Sequence, residues 1–163
     1  MAKAKSPVPE GQHTVSIHLV CKNADKAIDF YKKAFGATEI SRFPSPDGKI
    51  MHAALKLGDT KFFLNDEMPM PEGGKSPQTL GGTPVTINFY TADSDRFFKQ
   101  AISAGAKEVM PMSDQFWGDH YGVVRDPFGH HWAIATHIED LTPQEMEKRG
   151  KEFMAKMAQQ QHR

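Results

Sequence analysis

One order of predicted secondary structure occurs twice along the chain, and this repeat constrains the fold more than any other feature of the sequence. Apolar residues alternate over 14–20 and predict a strand, which is followed by a helix that Asn23 can cap and Gly36 ends. Three more strands are predicted at 38–43, 50–57 and 60–65.

The second copy of this order starts after residue 83. A strand is predicted at 85–90, Asp93 can cap a helix that ends at Gly105, and strands follow at 108–112, 121–125 and 131–137. The copies are offset by about 70 residues, which is typical of an internal duplication. We therefore predict an α+β fold of two βαβββ modules. Each helix covers one face of its sheet, and the open faces can form a curved mixed-sheet cup.

Composition places the boundaries of the segments. Residues 1–12 combine Pro, Gly and charged residues and predict a flexible arm before the first module at 13–67. Residues 68–83 are rich in Pro and Gly without a periodic pattern and predict a linker or surface loop. The second module then occupies 84–140, and a C-terminal amphipathic helix occupies 141–163.

The predicted C-terminal helix starts with a capping box, Thr142-Pro143-Gln144-Glu145, in which Pro takes the first helical position. It carries an apolar stripe at helical spacing, formed by Met146, Gly150, Phe153, Met154 and Met157. We expect this stripe to be buried, either against its own chain or against a partner subunit.

Charge and composition exclude several classes of partner. The 20 Lys and Arg residues balance the 20 Asp and Glu residues, so no basic excess favours nucleic acid. No apolar run is long enough for a membrane span, and no apolar signal-peptide core follows the first residues. A single cysteine, Cys21, excludes an internal disulfide and a multi-cysteine metal site. We expect a cytoplasmic protein with no membrane partner.

The predicted last strand has two different faces. It follows a turn, Asp126-Pro127-Phe128-Gly129, in which Pro fixes φ and Gly supplies a conformation that side chains resist. One face then carries Trp132, Ile134 and the methyl group of Thr136, and the other carries His131, Ala133, Ala135 and His137. The second face suits a wall beside a cavity.

Several segments resemble the PhnB-like branch of the glyoxalase/bleomycin-resistance/dioxygenase superfamily, which has the vicinal-oxygen-chelate fold. The matching motifs are Ala24-Asp25-Lys26-Ala27-Ile28-Asp29-Phe30-Tyr31, Phe35-Gly36-Ala37, Pro46-Asp47-Gly48-Lys49-Ile50-Met51-His52-Ala53, Leu80-Gly81-Gly82-Thr83-Pro84, Phe116-Trp117-Gly118-Asp119 and Asp126-Pro127-Phe128-Gly129-His130. The resemblance covers residues 14–149 and implies two βαβββ modules forming a cup, often in a homodimer.

The resemblance also implies where a metal would bind. Metal-dependent relatives use inward-facing His, Gln or Glu residues on the first and last strands of each module. Counting from the shared motifs places three of these positions at Ser16, Thr86 and Ala133, and the fourth falls among Phe62, Phe63 and Leu64. Because none is a usual ligand for a divalent metal, we predict no metal at the usual positions and no cofactor. The alternative is a displaced divalent metal held by His18, His52 and His131.

Strand parity predicts the residues that line the cup. They are His18, His52, Asn88, Tyr90, Tyr121, Arg125, His131 and His137, with Phe62 or Phe63. We hypothesise that a small molecule of aromatic or anionic character binds among Tyr90, Phe116, Trp117, Tyr121 and Arg125, while the imidazoles give hydrogen bonds or proton transfer. His52 and His131 are the catalytic candidates.

Each of these residues also has a structural interpretation. Each histidine can be held by one hydrogen bond, and Arg125 can pair with an acid across a dimer interface. Phe116 and Trp117 can cover the cup or fill a subunit interface. Asp119-His120 cannot present both groups to one pocket, because neighbouring residues of a strand point to opposite faces.

Two functional classes follow from the sequence, and whether the protein is an enzyme stays open. The first is a metal-free small-molecule-binding protein, of the antibiotic-sequestering or stress-related kind that the resemblance implies. The alternative is a lyase, isomerase or dioxygenase that uses the displaced metal or a histidine general base. The expected partners are a small molecule and a second copy of the chain.

Overall fold

The computed structural model describes residues 3–70 and 74–161. The first half contains β1 (His18–Cys21), α1 (Ala24–Phe35), β2 (Thr38–Pro44), β3 (Ile50–Leu57) and β4 (Thr60–Asp66). The second half contains α2 (Pro77–Leu80), β5 (Thr86–Tyr90), α3 (Ser94–Ser103), β6 (Lys107–Asp114), β7 (Asp119–Arg125), β8 (His131–His137) and α4 (Pro143–Gln161).

The strands form two mixed sheets with the same order. Sheet 1 has the order β1-β4-β3-β2, and sheet 2 has the order β5-β8-β7-β6. The first and last strands of each module pair in parallel, whereas the other neighbours are antiparallel. The predicted α+β fold of two βαβββ modules with a C-terminal helix is therefore confirmed.

Equivalent local signals start the helices of the two modules. The side chain of Asn23 accepts a hydrogen bond from the backbone nitrogen of Lys26 at 3.1 Å, and Asp93 accepts one from that of Arg96 at 3.0 Å. Gly36 ends α1 in the left-handed conformation, with φ of 71°. These signals fix the direction in which each helix leaves its first strand.

A shared core joins the helix-covered faces of the two modules. Trp132 of β8 lies 5.4 Å from Tyr31, 4.8 Å from Phe35 and 6.1 Å from Phe62, measured between ring centroids. Phe62 is therefore buried in the core, and Phe63, its neighbour on β4, lies on the open face of sheet 1. The two phenylalanines that strand parity left as alternatives thus lie on opposite faces of sheet 1.

The carboxylate of Asp126 ties the modules together inside this core. Its Oδ2 accepts hydrogen bonds from the hydroxyl of Tyr31 at 2.7 Å and from the indole nitrogen of Trp132 at 3.0 Å. Its Oδ1 accepts from the backbone nitrogens of Phe128 and His130, both at 2.9 Å. A helix of the first module and a strand of the second are thus joined through the β7–β8 turn.

The first strand is shorter than predicted. β1 starts at His18, and Val15 lies outside it with 82% of its surface exposed, so the predicted start at residue 14 is wrong. The physical reason is that the ladder with β4 starts at the pair of His18 and Phe63. The carbonyl of Ile17 still accepts a hydrogen bond from the backbone nitrogen of Phe63 at 2.9 Å, but residues 14–16 have no partner in that ladder. Alternation alone does not make a strand.

The linker contains a helical turn that the sequence did not predict. Ser76 caps α2, and its backbone nitrogen and hydroxyl donate to the carboxylate of Glu67 at 2.8 and 2.5 Å. The hydrogen bonds from Ser76 lower the pKa of Glu67 to about 2.

The predicted segments 1–12, 68–83 and 141–163 include residues 1–2, 71–73 and 162–163. Those residues lie outside the part of the chain that the structure describes.

The C-terminal helix starts as predicted. Thr142 and Glu145 form the capping box, with the backbone nitrogen of Thr142 donating to Glu145 at 2.9 Å. Phe153 contacts Phe116 at 5.1 Å between ring centroids, but Met154 is 67% exposed. The apolar stripe is therefore only partly covered by its own chain.

No helix among the residues that the structure describes is long and apolar enough to cross a membrane.

The contacts of Asp126 give a testable prediction. We expect Tyr31→Phe to lower the free energy of unfolding by about 2 kcal/mol, because a buried hydrogen bond to a charged acceptor is lost. Urea denaturation measures this change. The matched control is Tyr121→Phe, which removes a hydroxyl from a partly exposed ring, and it should change stability by less than about 0.5 kcal/mol. Equal losses in both variants would contradict the role of Asp126.

Candidate functional site

The candidate site is the open face of sheet 2, the face turned away from α3. Side chains on this face form cross-strand rows, because residues paired across neighbouring strands point the same way. From the β7–β8 turn outward, the rows are Thr86-His131-Arg125-Lys107, Asn88-Ala133-Val123, Tyr90-Ala135-Tyr121-Ser113 and His137-Asp119. The face thus changes in character along β8, from basic through apolar and aromatic to acidic.

Small residues form the floor in the middle of this face. Ala133 and Ala135 are 0% and 2% exposed, although they point away from the helix-covered side. Tyr90 and Tyr121 stand on either side of Ala135, and the indole ring of Trp117 lies edge-on to Tyr121 with the ring centroids 5.4 Å apart. Because the two alanines have almost no exposed surface, the accessible apolar surface in the middle of the face is that of the Tyr90 and Tyr121 rings.

Asp119 organises the polar end of the face. Only 3% of its surface is exposed, and it accepts hydrogen bonds from the hydroxyl of Tyr90 at 2.8 Å and the indole nitrogen of Trp117 at 2.9 Å. Its other oxygen lies 2.7 Å from Nδ1 of His137. Three segments, β5, the β6–β7 turn and β8, therefore meet at one carboxylate.

The hydrogen bonds at Asp119 shift several pKa values. Burial alone raises the pKa of the Asp119 carboxyl, but the hydrogen bonds from His137, Tyr90 and Trp117 outweigh it, and the pKa lies below its ordinary value. The hydrogen bond to Asp119, followed by that to Asp140, raises the pKa of His137. The same carboxylate raises the pKa of the Tyr90 hydroxyl. Asp119 thus favours the protonated form of both of these neighbours.

Sequence reasoning did not select Asp119, although it selected its three neighbours. The signal was available, because Asp119 precedes Tyr121 by two residues and must share its face. The expectation that Asp119 and His120 point to opposite faces agrees with the structure. His120 contacts Asp95 of α3, with Nε2 and Oδ2 3.2 Å apart, on the helix-covered side.

Two predicted site histidines lie together on the open face of sheet 1. Nε2 of His18 is 2.5 Å from Oδ1 of Asn65, and the His18 and His52 rings are 6.1 Å apart between centroids. Phe63 contacts the ring of His52 at 5.2 Å. Within residues 3–70 and 74–161, no hydrogen bond or ring contact joins this group to Tyr90, Tyr121 or His137 on sheet 2. The predicted residues His18 and His52 are therefore separate from the predicted residues Tyr90, Tyr121 and His137.

The residues at the usual metal positions do not fit a divalent metal. Ser16 precedes β1 and bonds to Gln12, Thr86 opens β5, and Ala133 has no ligating atom. Across the described part of the chain, no three His, Cys, Asp or Glu side chains lie close enough to hold a metal. The histidines of the displaced alternative are also divided, because His131 lies on sheet 2.

Three further predicted residues lie at two other places. Arg125 and His131 share the row next to the β7–β8 turn. Phe116 contacts α4 rather than the sheet, through Phe153. Arg125 is exposed and His131 is partly exposed, so both side chains are accessible.

His130 is a buried polar residue that sequence reasoning also missed. It is 5% exposed, neither ring nitrogen has a hydrogen-bond partner among the residues the structure describes, and burial lowers its pKa. It lines a cavity of about 220 Å³ between β1, β5 and the linker. The neutral imidazole is the form favoured in this apolar setting.

Two βαβββ modules with helices on one side and polar, aromatic open faces define a vicinal-oxygen-chelate fold. The family model described as Glyoxalase/Bleomycin resistance protein/Dioxygenase superfamily matches residues 12–134, and the chain belongs to this superfamily. The family predicted from the sequence motifs is therefore confirmed at the level of the superfamily.

Similar proteins give further detail on the relationship. An uncharacterized protein of Mycobacterium bovis is 50% identical over 135 residues, which make up 82% of this chain and 89% of that protein. The crystal structure of TioX from Micromonospora sp. ML1 is 28% identical with a TM-score of 0.62, covering 77% of this chain and 99% of TioX. The PhnB protein of Bacillus cereus has a TM-score of 0.58 over 76% of this chain and 99% of its own, and its 17% identity shows the shared fold alone.

The pKa of His137 gives a direct test of the Asp119 contact. We expect NMR titration of the His137 ring to give a midpoint above 6.5, because the carboxylate stabilises the imidazolium. Since the folded pKa is raised, the resulting stabilisation is fully present below the unfolded pKa and is lost as the pH rises through the folded pKa.

Two variants separate the carboxylates that face His137. Asp119→Asn should move the midpoint down by more than Asp140→Asn does, because the side chain of Asp140 is fully exposed and that of Asp119 is buried. An unchanged midpoint in Asp119→Asn would show that the pair does not form in solution.

Proposed function

We propose that the protein binds a small molecule on the open face of sheet 2, with no metal at the usual positions of the fold. An aromatic or apolar part of the ligand stacks on the exposed ring of Tyr90 and the partly exposed ring of Tyr121, and a polar part meets His137. The observation that carries this proposal is the buried carboxylate of Asp119, which holds Tyr90, Trp117 and His137 on an otherwise open face.

The network favours binding because it fixes the side chains before a ligand arrives. The ring of Tyr90 is 58% exposed, yet its hydroxyl is held by Asp119. Binding to such fixed rings loses little side-chain entropy. A carboxylate with a purely structural role does not need exposed neighbours. The position of Asp119 beside exposed rings therefore supports a role in recognition.

The family supports the proposal in outline. The superfamily includes bleomycin resistance proteins, and we propose the antibiotic-sequestering or stress-related kind of binding for this chain. We also propose membership of the PhnB-like branch, which the sequence motifs Phe116-Trp117-Gly118-Asp119 and Asp126-Pro127-Phe128-Gly129-His130 support. We propose a cytoplasmic location and no nucleic-acid partner, since the charges of the chain balance.

A second copy of the chain is proposed to complete the cup. The His18 and His52 group and the Tyr90 and Tyr121 group lie on separate sheets, so opposing sheets from two copies would bring them to one ligand. Large apolar side chains are exposed on sheet 1 and α4, including Phe43 at 60%, Met51 at 55% and Met154 at 67%. Covering them would remove apolar surface from water.

The alternative function is catalysis of the lyase, isomerase or dioxygenase type. One observation favours it, because Asp119 fixes Nδ1 of His137, and this leaves Nε2 for proton transfer. Nε2 now lies 3.1 Å from the exposed carboxylate of Asp140, which a substrate can displace. His52 and His131 also stay candidates, but neither has a carboxylate partner within 4 Å among the described residues.

The binding proposal is tested with a thermal-shift screen against catechols, thiol adducts of the glyoxalase type and glycopeptide antibiotics. We expect at least one class to raise the Tm. For that compound, Tyr121→Ala should weaken binding roughly tenfold, the equivalent of about 1.4 kcal/mol, because one aromatic wall is lost. Tyr121→Phe keeps the ring and should bind as the wild type does. Binding that is equal in Tyr121→Ala would place the ligand elsewhere.

The same compound distinguishes the two functions. Conversion to product by the wild type and its loss in His137→Gln would favour the enzyme. A large shift in Tm without turnover would favour a binding protein.

The dimer proposal has its own measurement. We expect light scattering after gel filtration to give twice the 18.2 kDa mass of the chain. Replacing both Met154 and Met157 by Lys should shift the protein toward the monomer, since two charges would enter an apolar contact. Lys148→Ala, on the same helix but outside the stripe, is the matched control. A monomeric wild type would contradict the proposal.

A further inference from the structure

A second cavity lies at the end of sheet 2 next to the β7–β8 turn. Its volume is about 560 Å³, and its walls are the strand ends on one side and the end of the linker on the other. The linker contributes α2 and the Gly81-Gly82-Thr83 segment. The cavity is thus formed by parts of the chain that are distant in sequence.

Three basic or imidazole side chains line this cavity from a single row. Lys107 pairs with Arg125 across β6 and β7, and Arg125 pairs with His131 across β7 and β8. Residues paired in this way point to the same face, and neighbouring strands are about 5 Å apart. The three side chains therefore rise side by side from three adjacent strands.

The positive charge of this row is not balanced by nearby acids. Neither Lys107 nor Arg125 has a carboxylate within 4 Å among residues 3–70 and 74–161. Asp126 is the acid among the described residues that line the cavity, and it is 3% exposed. Both of its oxygens are engaged by Tyr31, Trp132 and the turn backbone. Its charge is therefore directed into the core.

Direct contacts hold the two walls of the cavity together. The side-chain amide of Gln78 donates to the carbonyl of Pro127 at 2.8 Å, which joins α2 to the β7–β8 turn. Gly129 has φ of 94°, and a Cβ there would lie 2.9 Å from Cβ of Pro77. Glu67 fixes the start of α2 through Ser76. The cavity is therefore a formed site rather than a gap beside a loose loop.

The geometry points to an oxyanion-binding site in this cavity, with Lys107, Arg125 and His131 as ligands for a phosphate or carboxylate group. The guanidinium of Arg125 can bind two oxygens at once, and Lys107 adds a point charge. His131 adds a hydrogen bond from its ring. The anion can be free or part of a larger molecule, since the recognised chemistry is the same.

This site is separate from the Asp119 network. His131 and His137 are six residues apart on β8, which corresponds to roughly 20 Å along the strand. The inference therefore goes beyond the proposed function and does not depend on it. Asp119→Asn should leave anion binding unchanged, so a failure of one proposal can be told from a failure of the other.

The test follows backbone amide shifts by NMR while inorganic phosphate or, separately, acetate is added to the full chain. We expect saturable shifts at residues 81–83, 105–107 and 125–131 with at least one of the two anions. Lys107→Met and Arg125→Met should each weaken binding about tenfold, because a charge-assisted hydrogen bond is lost. Raising the salt concentration should weaken binding as well.

The matched control is Lys99→Met, which removes an exposed lysine of α3 that does not line the cavity. It should bind anions as the wild type does. Saturation with phosphate alone assigns the site to phosphate groups, and saturation with acetate alone assigns it to carboxylates. Shifts that are absent with both anions, or that persist unchanged in the Lys107 and Arg125 variants, would overturn the proposal. Thermal unfolding checks that each variant is folded.

Discussion

The buried carboxylate of Asp126 is the interaction on which the relative position of the two modules depends. A buried charge is costly unless hydrogen bonds replace its lost hydration. Here four donors do so, and they come from α1, from the turn after β7 and from β8. Because Tyr31 and Trp132 belong to different modules, the carboxylate is fully satisfied only when the modules are correctly docked. The same contacts fix the β7–β8 turn, next to which Lys107, Arg125 and His131 share one row.

The same chemical arrangement occurs on both faces of sheet 2. Asp126 accepts from a tyrosine and a tryptophan on the helix-covered side, and Asp119 accepts from a tyrosine and a tryptophan on the open side. The difference lies in their surroundings. Tyr31 is fully buried, whereas Tyr90 is 58% exposed, and His137 joins only the second group. The first group therefore stabilises the fold, and the second holds accessible side chains in place, which is the property that a binding site needs.

Local patterns predicted what depends on local structure. Alternation and capping residues gave the repeat, and strand parity placed His131 and His137 on one face of β8. Features that depend on pairing across the chain were missed. The start of β1 is set by its partner strand, and Lys107 belongs to the cavity only through its register with Arg125. Asp119 was within reach of parity, but its hydrogen bonds join three segments that no local pattern connects. The Ser76-Pro77 pair was a local signal for α2, an N-cap followed by Pro at the first position.

The two ends of the open face of sheet 2 carry side chains of different charge. The charge of the face therefore changes in one direction along β8. Lys107 and Arg125 stand at one end, Asp119 and His137 stand at the other, and Ala133 and Ala135 separate them. The resemblance places a ligand position of metal-dependent relatives at Ala133, and this alanine has no ligating atom and is buried. In the proposed binding, recognition on this face therefore depends on the tyrosine rings in the middle and on charge at the two ends.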